Sequence, residues 1–183
     1  YGVPLHVRSS FHEGEGTWVK SEDDIMEKAI ISAVTHDFSE SKVTVVGVPD
    51  RPGIAARLFG ALAEANVNVD MIIQNVSEHA RTDISFTVPT DDLEKVRKVA
   101  GDIGKAVGAE GVNLDDDVAK ISLIGAGMRT HPGIAAGMFQ TLADNDINIE
   151  MISTSPIKIS CVVRRSDGAR AVQTLHDYFN LSE

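Results

Sequence analysis

The feature that most constrains this chain is that it writes one stretch twice. Residues Val43 to Asn75 recur from Ile121 to Ser155. Pro52 and Pro132, Gly53 and Gly133, Ala55 and Ala135, Phe59 and Phe139, Leu62 and Leu142, Asn68 and Asn148, and Met71 and Met151 all stand eighty residues apart. Before the turn the offset is seventy-eight, as in Lys42 and Lys120 or Gly47 and Gly125, so the second copy carries two extra residues in the loop Gly127 to His131. Beyond Met151 it narrows to seventy-five, as in Ile84 and Ile159 or Ser85 and Ser160. Differences confined to loops mark two diverged copies of one unit. Two copies are too few for a solenoid, so a tandem pair of domains is expected.

Within the first copy a β-branched run, Val43 to Val46, stops at Gly47, and a turn holding Asp50, Pro52 and Gly53 follows. Ile54 to Ala65 then reads as a helix and Val67 to Asn75 as a second strand. Strand 82–88, helix 91–107 and a further element within Val112 to Ala119 complete the pattern. The second copy reads as strand 119–125, helix 133–145, strand 147–155, strand 157–164 and helix 167–179, without a last strand. A four-stranded sheet with helices on one face would be left with an apolar edge there. The apolar run Ala29 to Thr35 is therefore expected to complete the second sheet, making the first domain an insertion in the second. The expected division is 1–26 as a leading segment, 43–118 as the first domain, and 27–41 plus 119–183 as the second. The order βαββαβ, twice, is the ferredoxin-like split βαβ arrangement, an α+β fold with antiparallel sheets and helices on one face.

Composition narrows the partners. A net charge of −10 is spread along 183 residues, which argues against nucleic acid or an anionic membrane and leaves a small ligand or a protein. The single cysteine, Cys161, excludes a disulfide within the chain; it reads as a core thiol in a reducing, cytoplasmic setting. No apolar run approaches the ~20 residues of a membrane span. Tyr1 to Phe11 alternates Val3, Leu5 and Val7 in strand fashion with no hairpin partner nearby, as at the end of another domain. His12 to Asp24 reads as a mobile linker with one aromatic anchor, Trp18. Its Gly14 and Gly16 do not form a phosphate loop, because Glu13 and Glu15 would repel an anion.

The repeated strand, turn and helix set the free N–H groups of a helix's first turn beside a strand end, where a small carboxylate can be held. Nothing comparable supports catalysis. His131 has no nucleophile or carboxylate partner repeating near it, and His6, His12, His36, His79 and His176 lack metal-ligand spacing. The expected catalytic and metal residues of this chain are none.

The D-x-P-G turn opening the first helix, with N-V-N-V-D-M-I and N-I-N-I-E-M-I on the following strands, resembles the ACT domain. More closely, VGVPDRPGIAARLFGALAEANVNVDMIIQNVS with TDISFTV, ISLIGAGMRTHPGIAAGMFQTLA, INIEMISTSPIKISCVVR and LHDYFNL resemble the regulatory region of the aspartokinase family. YGVPLHVRSSF is similar to the last strand of that family's kinase domain. The resemblance covers nearly the whole chain. It implies binding of lysine, threonine or both, which feedback-inhibits phosphorylation of L-aspartate by ATP on the way to lysine, threonine and methionine. The family's K-F-G-G-T-S segment is absent from these residues, so the chain alone is expected to be inactive, with ATP and Mg belonging to the kinase domain and no cofactor here. A kinase domain or catalytic subunit and a second copy, joined sheet to sheet, are the implied partners. Whether the chain is a natural small subunit or a truncation stays open.

By the same resemblance, effector contact is carried to Asp50, Gly53, Ile54, Ala55, Val69, Asp70, Gln74 and Asn75, with Asn148 and Ile149 from the second copy. Backbone N–H groups of Gly53, Ile54 and Ala55 suit a carboxylate, and Asp50 suits an ammonium. Asp50, Asp70, Asp83 and Glu150 are the acceptors available to an effector side chain. Structural alternatives stand beside these. Asp50 can shape the turn, Pro52 and Gly53 can be plain helix entry, and Gln74 and Asn75 can be interface amides. Met71 and Met151 read as core. In the second copy Thr130 stands where the first has Asp50, so weak or no binding through its own loop is expected. The alternative reading of function is an ACT-type amino-acid sensor attached to a different enzyme or regulator.

Overall fold

The computed structural model describes residues 3–11, 14–19, 31–75, 80–125, 131 and 133–181. The elements in order are β1 (Leu5–Val7), β2 (Thr17–Val19), β3 (Ala33–Asp37), β4 (Glu40–Pro49), α1 (Ile54–Glu64), β5 (Ile72–Gln74), β6 (Arg81–Pro89), α2 (Leu93–Val107), β7 (Gly111–Asp115), β8 (Val118–Ile124), α3 (Gly133–Asp144), β9 (Met151–Thr154), β10 (Lys158–Arg164) and α4 (Gly168–Tyr178). They form two four-stranded antiparallel sheets, ordered β5-β6-β4-β7 and β3-β8-β10-β9, and a separate β1-β2 hairpin.

The same sequence positions build both cores. In β4, Val43 and Val45 turn under the helices, and Ile121 and Leu123 do so in β8. Ile54, Leu58 and Leu62, one helical turn apart, form the buried stripe of α1, matched by Ile134, Met138 and Leu142 in α3. Ile84, Phe86 and Val88 of β6 correspond to Ile159, Cys161 and Val163 of β10. Phe86 meets Phe59 edge to face at 5.4 Å. Cys161, in the place of Phe86, is fully buried, and burial pushes its thiol pKa up to about 12.

A bulge in β4 aims the chain at the repeated turn. The β4–β6 register shifts between Val45 and Val48, and Gly47 takes a left-handed φ of 60°. A Cβ there would lie 2.5 Å from the movable Glu110 side chain, and the left-handed φ is what favours glycine at this position. The Gly47 N–H donates to Asp83 at 2.7 Å, while Arg81 donates to the carbonyls of Gly47 at 2.6 Å and Gly108 at 3.0 Å.

Three expectations need correction. The run at 29–35 does pair in the second sheet, against β8, but its strand is Ala33–Asp37, and residues 29 and 30 lie outside the described ones. The leading strand has a hairpin partner within the expected linker: β2 pairs β1, with Trp18 stacked on His6 at 4.1 Å. The strands expected over 67–75 and 147–155 are only Ile72–Gln74 and Met151–Thr154. At the start of β5 the Thr87 hydroxyl takes the Met71 N–H at 3.3 Å, and the Thr87 backbone N–H donates to the Met71 carbonyl. Val162 holds the equivalent place in β10 and has no hydroxyl, and β9 starts one residue earlier, at Met151.

The helix-free faces of the two sheets meet. Met71, Val118, Met151 and Val162 form a small buried cluster between the domains, with Ile73 against it. Deleting residues 31–37 is expected to raise amide exchange in β8 by about tenfold or more while leaving β4 protected, because β8 alone loses a neighbour. Hydrogen–deuterium exchange resolved by peptide is the measurement, and equal loss in both strands would contradict the pairing argument.

Candidate functional site

The turn before α1 is open. Asp50, Arg51, Pro52 and Gly53 are all exposed, the Asp50 N–H donates to the Ala80 carbonyl at 2.8 Å, and the Asp50 carboxylate has no partner among the described residues. Gly53 stands at φ 93°, a left-handed conformation that side chains avoid, immediately before the helix. No side chain caps α1 and no acidic residue lies in its first turn, so its leading N–H groups face outward with the positive end of the helix dipole. Ile54 is buried in the first core, and Ala55 is half-buried beside it. A carboxylate donor set and a free carboxylate acceptor thus share one turn.

The remaining first-copy residues sit along the next segment and β5. Val69 packs against the first core, and Gln74 and Asn75 are exposed at the end of β5, a sheet edge. The Asn75 carbonyl accepts from the Thr82 hydroxyl. In the second copy Asn148 is exposed and Ile149 packs against the second core. His131 is exposed, and its carbonyl accepts from the Ile134 N–H at 3.2 Å. Thr130 and Pro132 lie outside the described residues.

Three of the four acidic candidates are already engaged. Asp83 holds the Gly47 N–H. Asp70 accepts from Lys120 of β8 at 2.8 Å, and Lys120 also reaches Glu40 at 2.6 Å and Asp37 at 3.5 Å. Glu150 receives Lys42 of β4 and, at 2.6 Å, Arg164 of β10, which also binds Asp115 at 2.8 Å. Asp50 is the acidic candidate left open to a ligand. The lysines of the domain contact escaped the reading of the sequence. The available signal was the recurrence of Lys42 and Lys120 at the offset shared by Gly47 and Gly125.

These contacts shift the titrating groups. The hydrogen bond from Lys120 holds Asp70 below its ordinary 3.8 despite opposing burial. Asp37 is held low first by the Ser39 hydroxyl, against opposing burial, with Lys120 adding to it. Burial works against the charge on Lys120, but the hydrogen bonds to Asp70 and Glu40 outweigh it and raise its pKa above 10.5. One Glu40 oxygen is buried with no hydrogen bond among the described residues.

The ACT domain family matches residues 43–103 and 121–179. The aspartokinase of Mycolicibacterium smegmatis is 48% identical over 99% of this chain, which spans 44% of that protein. The regulatory subunit of aspartate kinase from Thermus thermophilus, in its ligand-free form, is 36% identical with a TM-score of 0.78, covering 82% of this chain and 99% of that one. Escherichia coli aspartokinase III in complex with lysine and aspartate is 26% identical with a TM-score of 0.74, covering 100% of this chain and 40% of that one. The chain is thus an ACT-domain protein, and within that class it belongs to the aspartokinase regulatory regions. It spans a little under half the length of its curated relatives.

Asp37 and Asp70 carry a pH prediction. Both folded pKa values lie below the unfolded ones, so the stability they contribute is complete above about pH 4 and is lost as pH falls through the lower folded values. The thermal midpoint is expected to fall below about pH 4, and to fall less steeply in an Asp70→Asn variant. Identical slopes in calorimetric scans of the two proteins would remove Asp70 from the account.

Proposed function

We propose that this chain is the amino-acid-reading part of an aspartate kinase, binding lysine, threonine or both and feedback-inhibiting phosphorylation of L-aspartate by ATP. The observation that carries the reading is the turn before α1, where an uncapped helix start and the open Asp50 carboxylate lie side by side. An α-amino acid has the matching pair of charges. Its carboxylate fits the outward N–H groups of Gly53, Ile54 and Ala55, and its ammonium fits Asp50. The lysine complex of the E. coli relative supports lysine as one effector. Val69, Asp70, Gln74, Asn75, Asn148 and Ile149 form the proposed remainder of the sites.

The free edges support a second copy as partner. Ile72 on β5 and Ile152 on β9 are 50% and 41% exposed, in equivalent places on edge strands. Joining sheets side by side would cover both. Sedimentation of the chain at micromolar concentration is expected to give a dimer, and a stable monomer with and without amino acids would count against this part of the reading. An upstream kinase domain or separate catalytic subunit, carrying ATP and Mg, would supply the catalysis that the effector restrains.

Titration calorimetry tests the effector site. Lysine or threonine is expected to bind the wild type. Asp50→Ala should weaken that binding about 10- to 100-fold, the equivalent of ~1.5 to 3 kcal/mol for a lost hydrogen bond to a charged group. Equal affinity in both proteins would exclude Asp50 from the site, and no heat from either amino acid would exclude the effector assignment.

A further inference from the structure

The repeat that relates the two domains also relates their contacts, but with partners exchanged. Lys42 and Lys120 hold the same place in equivalent strands, and Asp70 and Glu150 the same place in equivalent segments. Neither lysine binds the member of this acid pair that lies in its own domain. Lys120 of the second domain binds Asp70 of the first at 2.8 Å, and Lys42 of the first binds Glu150 of the second. Met71 and Met151, the next residue in each segment, meet in the buried cluster between these two exchanges.

What each lysine holds is less firmly laddered than what carries the lysine. Lys120 lies inside its sheet, opposite Asp37 on one side and Val162 on the other, and Lys42 lies opposite Asp115 and Thr87. By contrast 67–70 and 147–150 belong to no strand. Asp70 donates its N–H to the Thr87 carbonyl at 3.1 Å and Glu150 its N–H to the Val162 carbonyl at 2.8 Å. Val69 and Ile149 directly precede these acids.

We propose that Lys120 is a positioning residue for the first domain's amino-acid site, fixing from the opposite domain the segment that presents effector contacts. The proposal rests on the effector reading given above. Its consequence is that occupancy of the first domain's site is felt in the second, because the reading segment 67–70 is tied to β8 across the domain contact.

The two exchanges differ in a way that makes this testable. Glu150 is held twice, by Lys42 and by Arg164 at 2.6 Å, so it keeps a partner when Lys42 is lost. Asp70 has Lys120 as its only ion-pair partner among the described residues, with Lys158 acting at longer range, and Lys120 is shared with Glu40 and Asp37. Loss of Lys120 therefore frees the 67–70 segment and leaves three carboxylates facing one another.

The experiment is titration of lysine and threonine into the full chain as wild type, Lys120→Met, Lys120→Arg and Lys42→Met. Lys120→Met is expected to weaken the amino acid that binds by about tenfold. Lys120→Arg should recover most of the loss by keeping a cation on Asp70, and Lys42→Met should change affinity by less than about threefold. Wild-type affinity in a folded Lys120→Met protein, or equal losses in the two methionine variants, would overturn the proposal. If Lys120→Met does not fold, Lys120→Gln replaces it and must weaken binding in the same direction. Hydrogen exchange keeps the positioning claim separate from the effector reading. Amides of 67–70 should exchange faster in Lys120→Met while β6 is unchanged, whether or not an amino acid binds, and unchanged exchange there would also overturn it. Absence of heat with the wild type would sink the effector reading alone.

Discussion

Two helices cover only one face of a four-stranded sheet, and the architecture depends on what is done with the other face. Strand alternation makes that face half polar: β4 puts Val43 and Val45 into the core and leaves Lys42 and Thr44 outside, and β8 does the same with Lys120 and Ser122. The two copies place these faces together. The polar positions are satisfied in pairs, Thr44 with Ser85 at 2.9 Å and, equivalently, Ser122 with Ser160 at 2.8 Å. The charged positions are satisfied across the domains, and the methionine cluster supplies the apolar contact between. Partly buried ion pairs of this kind add little net stability over apolar packing, but removing one partner is costly, so they fix how the surfaces register.

Much of the fold was legible because both cores obey periodicities that sequence carries directly. The turn before α1 was legible for the same reason, since Asp50, Pro52 and Gly53 each have a local conformational role. The extent of β5 was not. Val67, Val69 and Met71 alternate as a strand should, yet the segment before β5 is held by separate bonds, Val67 N–H to the Leu62 carbonyl and Asp70 N–H to the Thr87 carbonyl, instead of a ladder, and alternation does not encode that. The hairpin of β1 and β2 was missed because its strands are short and exposed on both faces, so no buried alternation marks Thr17–Val19. The ion pairs were hidden more deeply. A lysine in a strand looks solvent-facing, and nothing local says that a carboxylate of the other copy will lie over it.

The copies have diverged at two places that bear on each other. In the first copy the turn keeps an acidic group, Asp50, and the following acid, Asp70, hangs on one shared lysine. In the second copy Thr130 stands at the position of Asp50, and the following acid, Glu150, is clamped by two cations. A segment that must respond to a ligand cannot be held too firmly, because the ligand shifts an equilibrium only by its differential affinity for the two states. A segment that serves as the fixed side of a contact gains from being held twice. On this reading the first copy carries the responsive site and the second the firmer support against which its movement is felt. The difference in direct ion pairing, two cations on Glu150 against one cation shared by three carboxylates, is the physical form of that division.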